Sequence, residues 1–271
     1  MAKMKYKGIN FLVLLGHLFG AIACQKDKLL TYEHPANVYL ELSSAQKDSI
    51  VYTFAYDMTK AVDTVFIPVR LMGHRVDSER FYQAYIEQDS STAQVDVHYK
   101  ALEESYSLGA GEGKTNLPLI VYNTADLESQ PVNMVIKLKS SEDFGVENDK
   151  IIRAYVVLSA QLEQPAWWSM WMGAYSRVKH QLFLLVTDQR ELSMDGLDAP
   201  KNLYFADLLT HMLNDPFQWV EDHPEKGYVL TEDSGGYLFY HQDNPSRVIH
   251  LVRNAGSGKY FFIDELGKEV R

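Results

Sequence analysis

Three of the chain's four tryptophans, Trp167, Trp168 and Trp171, stand almost side by side, and Tyr175 follows them. Trp168, Trp171 and Tyr175 are spaced i, i+3 and i+7, so on a helix they would share one face. Flat aromatic rings stack on sugar rings, which makes Trp167, Trp168, Trp171 and Tyr175 the candidate ligand-binding residues. The competing reading is a packed core, because aromatic side chains bury large areas. Other groups offer less. Gly109 to Thr115 looks like a phosphate-binding loop, but Leu108 stands where its first glycine is required, and Leu117 to Val121 reads as a strand where a helix should open. Gly256-Ser257-Gly258-Lys259 fails in the same way, with Arg253 at the first-glycine position. His74, His98, His180, His211, His223, His241 and His250 are scattered, and a zinc site needs three or four ligands together. The acids Glu87, Asp89, Asp96, Glu142, Asp143, Glu147 and Asp149 could supply a hydrolase pair, but they read first as solvated loop charge. No catalytic residue, metal site or cofactor is assigned.

Cys24 is the only cysteine, so disulfides and thiolate metal clusters are excluded. It follows Lys3, Lys5 and Lys7, an apolar run from Phe11, and the small residues Ala21 and Ala23. That order describes a secretory signal over residues 1–23, and the run is short for a bilayer span, which needs about 20 apolar residues. The segment resembles a bacterial lipobox, which implies lipidation of Cys24 with diacylglycerol and an acyl chain such as palmitate. Gln25-Lys26-Asp27-Lys28 is similar to the export signal of Bacteroidetes surface lipoproteins. These likenesses imply a lipid anchor in the outer membrane with the chain facing the exterior, and residues 24–36 as a tether. Removing the signal leaves 23 Lys plus Arg against 36 Asp plus Glu, a net charge of −13. A nucleic-acid partner, which calls for a basic patch, is not expected.

The elements that must position these residues fall into two textures. Between residues 37 and 160 apolar residues alternate: Val38 to Leu42, Ile50 to Tyr56, Val65 to Leu71, Tyr82 to Ile86, Leu117 to Val121, Val132 to Leu138 and Ile152 to Leu158. Period two marks strands with one buried face, and about seven of them predict an immunoglobulin-like β-sandwich. Pro68 places its strand at an edge, because proline cannot donate to a ladder. Residues 161–271 read as a smaller mixed α+β domain, giving a mainly β chain. There Gln181 to Val186 reads as a buried strand, and Leu203, Ala206, Leu209 and Leu213 space a helix between Pro200 and Pro216. Short strands are expected at Tyr228 to Leu230, Tyr237 to Tyr240, Val248 to Val252 and Tyr260 to Ile263.

Asp63-Thr64-Val65-Phe66-Ile67-Pro68-Val69-Arg70-Leu71-Met72-Gly73 resembles a signature of an uncharacterised lipoprotein family of the Bacteroidetes, a domain of unknown function. Pro165-Ala166-Trp167-Trp168 followed by Gly173-Ala174-Tyr175-Ser176-Arg177-Val178-Lys179 is similar to the same family. More distantly, the sandwich resembles the calcium-binding β-repeats of sodium/calcium exchangers and adhesins. His98 stands where those repeats have an Asp and Asp96 where they have a Gly, so one oxygen of a calcium set is gone. Asp48-Ser49-Ile50 and Asp63-Thr64-Val65 resemble a short O-glycosylation pattern of that lineage. The expectation is an outer-membrane surface lipoprotein that is not an enzyme and binds a glycan or an envelope protein. A structural, adhesin-like spacer is the alternative, and a carbohydrate hydrolase comes third.

Overall fold

The computed structural model describes residues 35–42, 49–147 and 152–271. Cys24, the signal, most of the tether, Asp48 and Asp149 lie outside the described residues. Alternation in the sequence becomes two facing sheets. One holds β1 (Asn37–Leu40), β3 (Val62–Met72) and β6 (Lys114–Tyr122) in the order β1-β3-β6. The other holds β2 (Ser49–Thr53), β4 (Arg80–Ile86), β5 (Tyr106–Leu108), β7 (Val132–Lys139) and β8 (Arg153–Ser159), ordered β2-β8-β7-β4-β5. All pairs are antiparallel except β2 with β8. Leu117, Leu119 and Val121 from one sheet meet Met134, Ile136, Val156 and Leu158 from the other in a single buried cluster. This is the immunoglobulin-like β-sandwich that the periodicity predicts.

The strand carrying Pro68 is not at an edge. β3 is the central strand of its sheet, between β1 and β6. Proline is tolerated there because β1 pairs only as far as Leu40 with Val69. Pro68 thus sits where the ladder on that side has run out, and its carbonyl still accepts from Glu41 N–H at 2.8 Å.

Four α-helices and a third sheet complete the described residues. They are α1 (Trp168–Trp171), α2 (Arg177–Thr187), α3 (Ala199–Asn214) and α4 (Pro216–Asp222), then β9 (Tyr228–Asp233), β10 (Gly236–His241), β11 (Asn244–Arg253) and β12 (Tyr260–Phe262) in an antiparallel meander. The chain is mainly β, and among the described residues its α-helices are confined to this smaller part. The expected strand from Gln181 to Val186 is instead the second half of α2. Ser176 caps that helix by accepting from Lys179 N–H at 3.1 Å, and Asp188 ends it in the left-handed region at φ 52°. Short apolar runs are ambiguous between strand and buried helix, and here the caps decide. Pro200 in the first turn starts α3, as its spacing predicts, while Pro216 both ends that pattern and opens α4.

A second core gathers Trp168, Leu182, Phe183, Leu209, Met212, Phe239 and Phe262. The two cores belong to one compact unit, Pro35–Arg271. Asn244 Nδ2 donates to the carbonyls of Met58 and Lys60 at 2.9 and 3.2 Å, and Arg247 Nη1 to that of Thr124 at 3.1 Å. Among the described residues no helix is long and apolar enough to cross a membrane.

Candidate functional site

The aromatic cluster divides in two. Trp167 and Trp168 are 2% and 0% exposed. Trp168 packs its ring 5.5 Å from Trp167, 4.9 Å from His180 and edge-on at 5.2 Å to Tyr175. Trp167 Nε1–H donates to Glu191 Oε2 at 2.9 Å, and Tyr175 O–H to the Leu162 carbonyl at 2.9 Å. The expected stacking role therefore fails for Trp167 and Trp168: their faces are covered by protein rings, so no sugar reaches them. The shared helical face fails as well. α1 is one turn long, and Gly173 at φ 68° follows it, so Tyr175 lies in the loop before α2. Tyr175 is half-buried against Trp168 and His180.

Trp171 points elsewhere. It lines a hollow of about 270 Å³ with Met172, Lys179, Leu209, Leu213 and Val270. Its indole Nε1 is buried and has no hydrogen-bond partner among the described residues. Lys179 is nearly buried and donates to the Met172 carbonyl at 2.7 Å, and burial holds its ammonium below the usual lysine range. The hollow thus offers apolar side chains, the Trp171 and Phe261 rings, and the polar groups of Lys179, Thr210, Asn214 and Arg271, the composition of a small-ligand site. Lys179 is not evident from sequence because a lysine in a first turn looks like a solvated charge. The available signal is Ser176 three residues before it, which makes Lys179 part of a capped helix start.

A family model described as a domain of unknown function, DUF4843, matches residues 32–189. The chain belongs to the DUF4843 family. The match takes in the sandwich, α1 and α2, so Trp171, Met172 and Lys179 fall inside it, while the α3 and C-terminal walls of the hollow fall outside. The likeness to an uncharacterised family read from the sequence therefore holds. No curated protein matches this chain. Among solved structures, CBD12 from CALX1.2 is 12% identical, covers 45% of this chain and 43% of that one, and has a TM-score of 0.34. A Bacteroides ovatus protein described as a candidate carbohydrate binder is 15% identical over 47% of this chain and 38% of that one, TM-score 0.32. A two-domain Bacteroides fragilis protein of unknown function is 14% identical over 58% and 51%, TM-score 0.36. The DUF4843 chain spans about half or less of each.

Several of the remaining sequence candidates are engaged within the fold. His98, 4% exposed, accepts from Gln94 N–H at Nδ1 (2.9 Å), which leaves the proton on Nε2 to donate to Asp126 at 2.8 Å. Burial, the largest single influence, pushes the Asp126 carboxyl up, but the hydrogen bonds it accepts, His98's first among them, together with the nearby His98 charge, hold the group below its ordinary value. Asp96 adopts φ 61°, a conformation that glycine takes more readily. Among the described residues no group of three or more His, Cys, Asp or Glu is arranged to hold a metal ion. Glu87 pairs with Lys137, and Asp143 accepts from Phe81 N–H at 2.7 Å. Asp63 takes hydrogen bonds from Tyr52, Lys60 and Thr64. The loop at Gly109 leads into strand β6, with Leu108 buried in the sandwich.

A second hollow, of about 250 Å³, lies beside Glu128, Arg177, Gln181 and Arg247. Its charges satisfy one another. Glu128 accepts from Arg247 Nη2, lies 3.1 Å from Arg177 Nη2 and accepts from Gln181 Nε2 at 2.7 Å. Glu265 takes the Arg177 and Val178 N–H groups at 2.8 and 3.3 Å. This network joins the sandwich to α2 and β11, and its role is attachment.

Proposed function

We propose that this DUF4843 protein is an outer-membrane surface lipoprotein, anchored through Cys24, whose folded part has a non-catalytic binding role with a glycan as ligand. The observation that carries the reading is Trp171: a tryptophan on the wall of a hollow, with its indole N–H unused. Two aromatic rings beside the polar side chains of Lys179, Thr210, Asn214 and Arg271 suit a sugar, which is apolar on its ring face and hydrogen-bonding at its rim. The non-catalytic part rests on the charged groups outside the hollow. Glu128, Arg177 and Arg247 are engaged with one another rather than left free to act on a substrate.

Screening the purified full chain on a glycan array, beside Trp171→Ala, tests the proposal. Binding that disappears in Trp171→Ala supports it, and binding that survives places any glycan site elsewhere. An envelope protein is the second ligand class, favoured by the exposed Leu197 just before α3 and the exposed Leu203 and Tyr204 in its first half. A chain that ignores every glycan but is captured by one envelope protein, with capture lost in Leu203→Glu, supports that class instead.

A further inference from the structure

The hollow beside Trp171 carries an unmet electrostatic demand, and that demand identifies a ligand class. Lys179 is 9% exposed, and the one hydrogen-bond partner of its ammonium among the described residues is the Met172 carbonyl. An ammonium carries three donors. No carboxylate among the described residues forms an ion pair with it, and burial alone accounts for its weakened hold on the proton. A buried charge without a partner is strongly unfavourable. Lys179 is also the third residue of α2, the helix end where the macrodipole disfavours a positive charge. The nearby Glu265 carboxylate is committed to the Arg177 and Val178 N–H groups. Arg271, which also borders the hollow, is held by Glu269 at 2.6 Å.

We propose that the hollow binds a carboxylate carried on a compact body of about one sugar ring, with Lys179 meeting its charge and the Trp171 ring on its wall. This rests on reading the hollow as a binding site. A volume of about 270 Å³ lies below the usual 300–1,000 Å³ range of pockets for drug-sized ligands, which suits a single ring rather than a long chain. In an acidic sugar the ring face meets the apolar wall and the carboxylate meets the lysine. The competing role for Lys179 is purely structural, tying down the Met172 carbonyl at the end of α1.

Calorimetric titration of the purified full chain with D-glucuronate, D-glucose and hexanoate separates these roles. Glucuronate is expected to bind and glucose not to. Lys179→Met is expected to weaken glucuronate at least tenfold, since a hydrogen bond to a charged group contributes on that scale. Unliganded Lys179→Met melts at or above the parent temperature, because an unpaired buried ammonium is replaced by an apolar chain of similar length. Glucose binding as tightly as glucuronate, unaffected by Lys179→Met, would overturn the carboxylate inference and leave the glycan site standing. Lys179-dependent binding of hexanoate but of neither sugar would support the carboxylate and remove the glycan. If no probe binds, or if Lys179→Met melts lower with glucuronate affinity unchanged, the inference is wrong and Lys179 is a structural tie.

Discussion

Replacing Trp168 with alanine removes a ring packed against Trp167, Tyr175, His180 and Phe183. The expected loss is about 3–5 kcal/mol of stability, read from the shift of a urea midpoint. Trp171→Ala touches the hollow instead and is expected to lose ligand at a smaller cost in stability. The two residues are three apart in sequence, and nothing in their types separates them; burial does. His180 is also buried in the ring cluster, 1% exposed, with its pKa pushed down to about 4 by loss of solvation. The folded value lies below the unfolded one of 6.5, so the unfolded chain takes up the proton first as pH falls. The stability that depends on neutral His180 is complete above about pH 6.5 and is lost progressively down through pH 4. Melting temperature measured across that range should fall more steeply for the parent than for His180→Phe. At this scale the sequence names the cluster, and only the fold shows that Trp171 faces the hollow.

The elements are held by a few polar junctions. Arg247, with its side chain 7% exposed, depends on Glu128 for its only ion pair among the described residues. Glu128→Ala leaves that guanidinium buried and uncompensated, so a loss of about 3–5 kcal/mol is expected in denaturant unfolding. Glu128→Gln keeps an acceptor and should cost less. Gly236 opens β10 at φ 155°, where an added Cβ would stand 2.1 Å from the Leu251 carbonyl oxygen. Gly236→Ala is therefore expected to spread β10 from β11 and speed amide exchange across Tyr237 to Phe239. The sandwich strands are legible because one buried face imposes alternation over many residues. α2 is not, because its apolar half, Leu182 to Val186, is short and β-like, and its cap lies five residues upstream of the run that reads as a strand. The α2 to β11 junction is illegible for another reason: Glu128, Arg177 and Arg247 are far apart in sequence, and only the fold brings their charges together.

Over the whole molecule the change of texture near residue 160 corresponds to two cores, although the polar junctions draw both into one unit. Membership of DUF4843 covers the first core and the α1–α2 side of the hollow, which puts the candidate site at the seam between the matched segment and the C-terminal residues from α3 onward. Under the proposed anchoring, Cys24→Ala moves the chain from the membrane fraction to the soluble one and abolishes labelling with radioactive palmitate. Retention of the label would assign the lipid to another residue. The central claim, that the hollow beside Trp171 is where ligand binds, is tested most directly by the indole N–H resonances of the four tryptophans during titration with the strongest glycan from the array. The Trp171 signal is expected to shift while the Trp168 signal stays in place. Saturable binding with the Trp171 signal unmoved would contradict it.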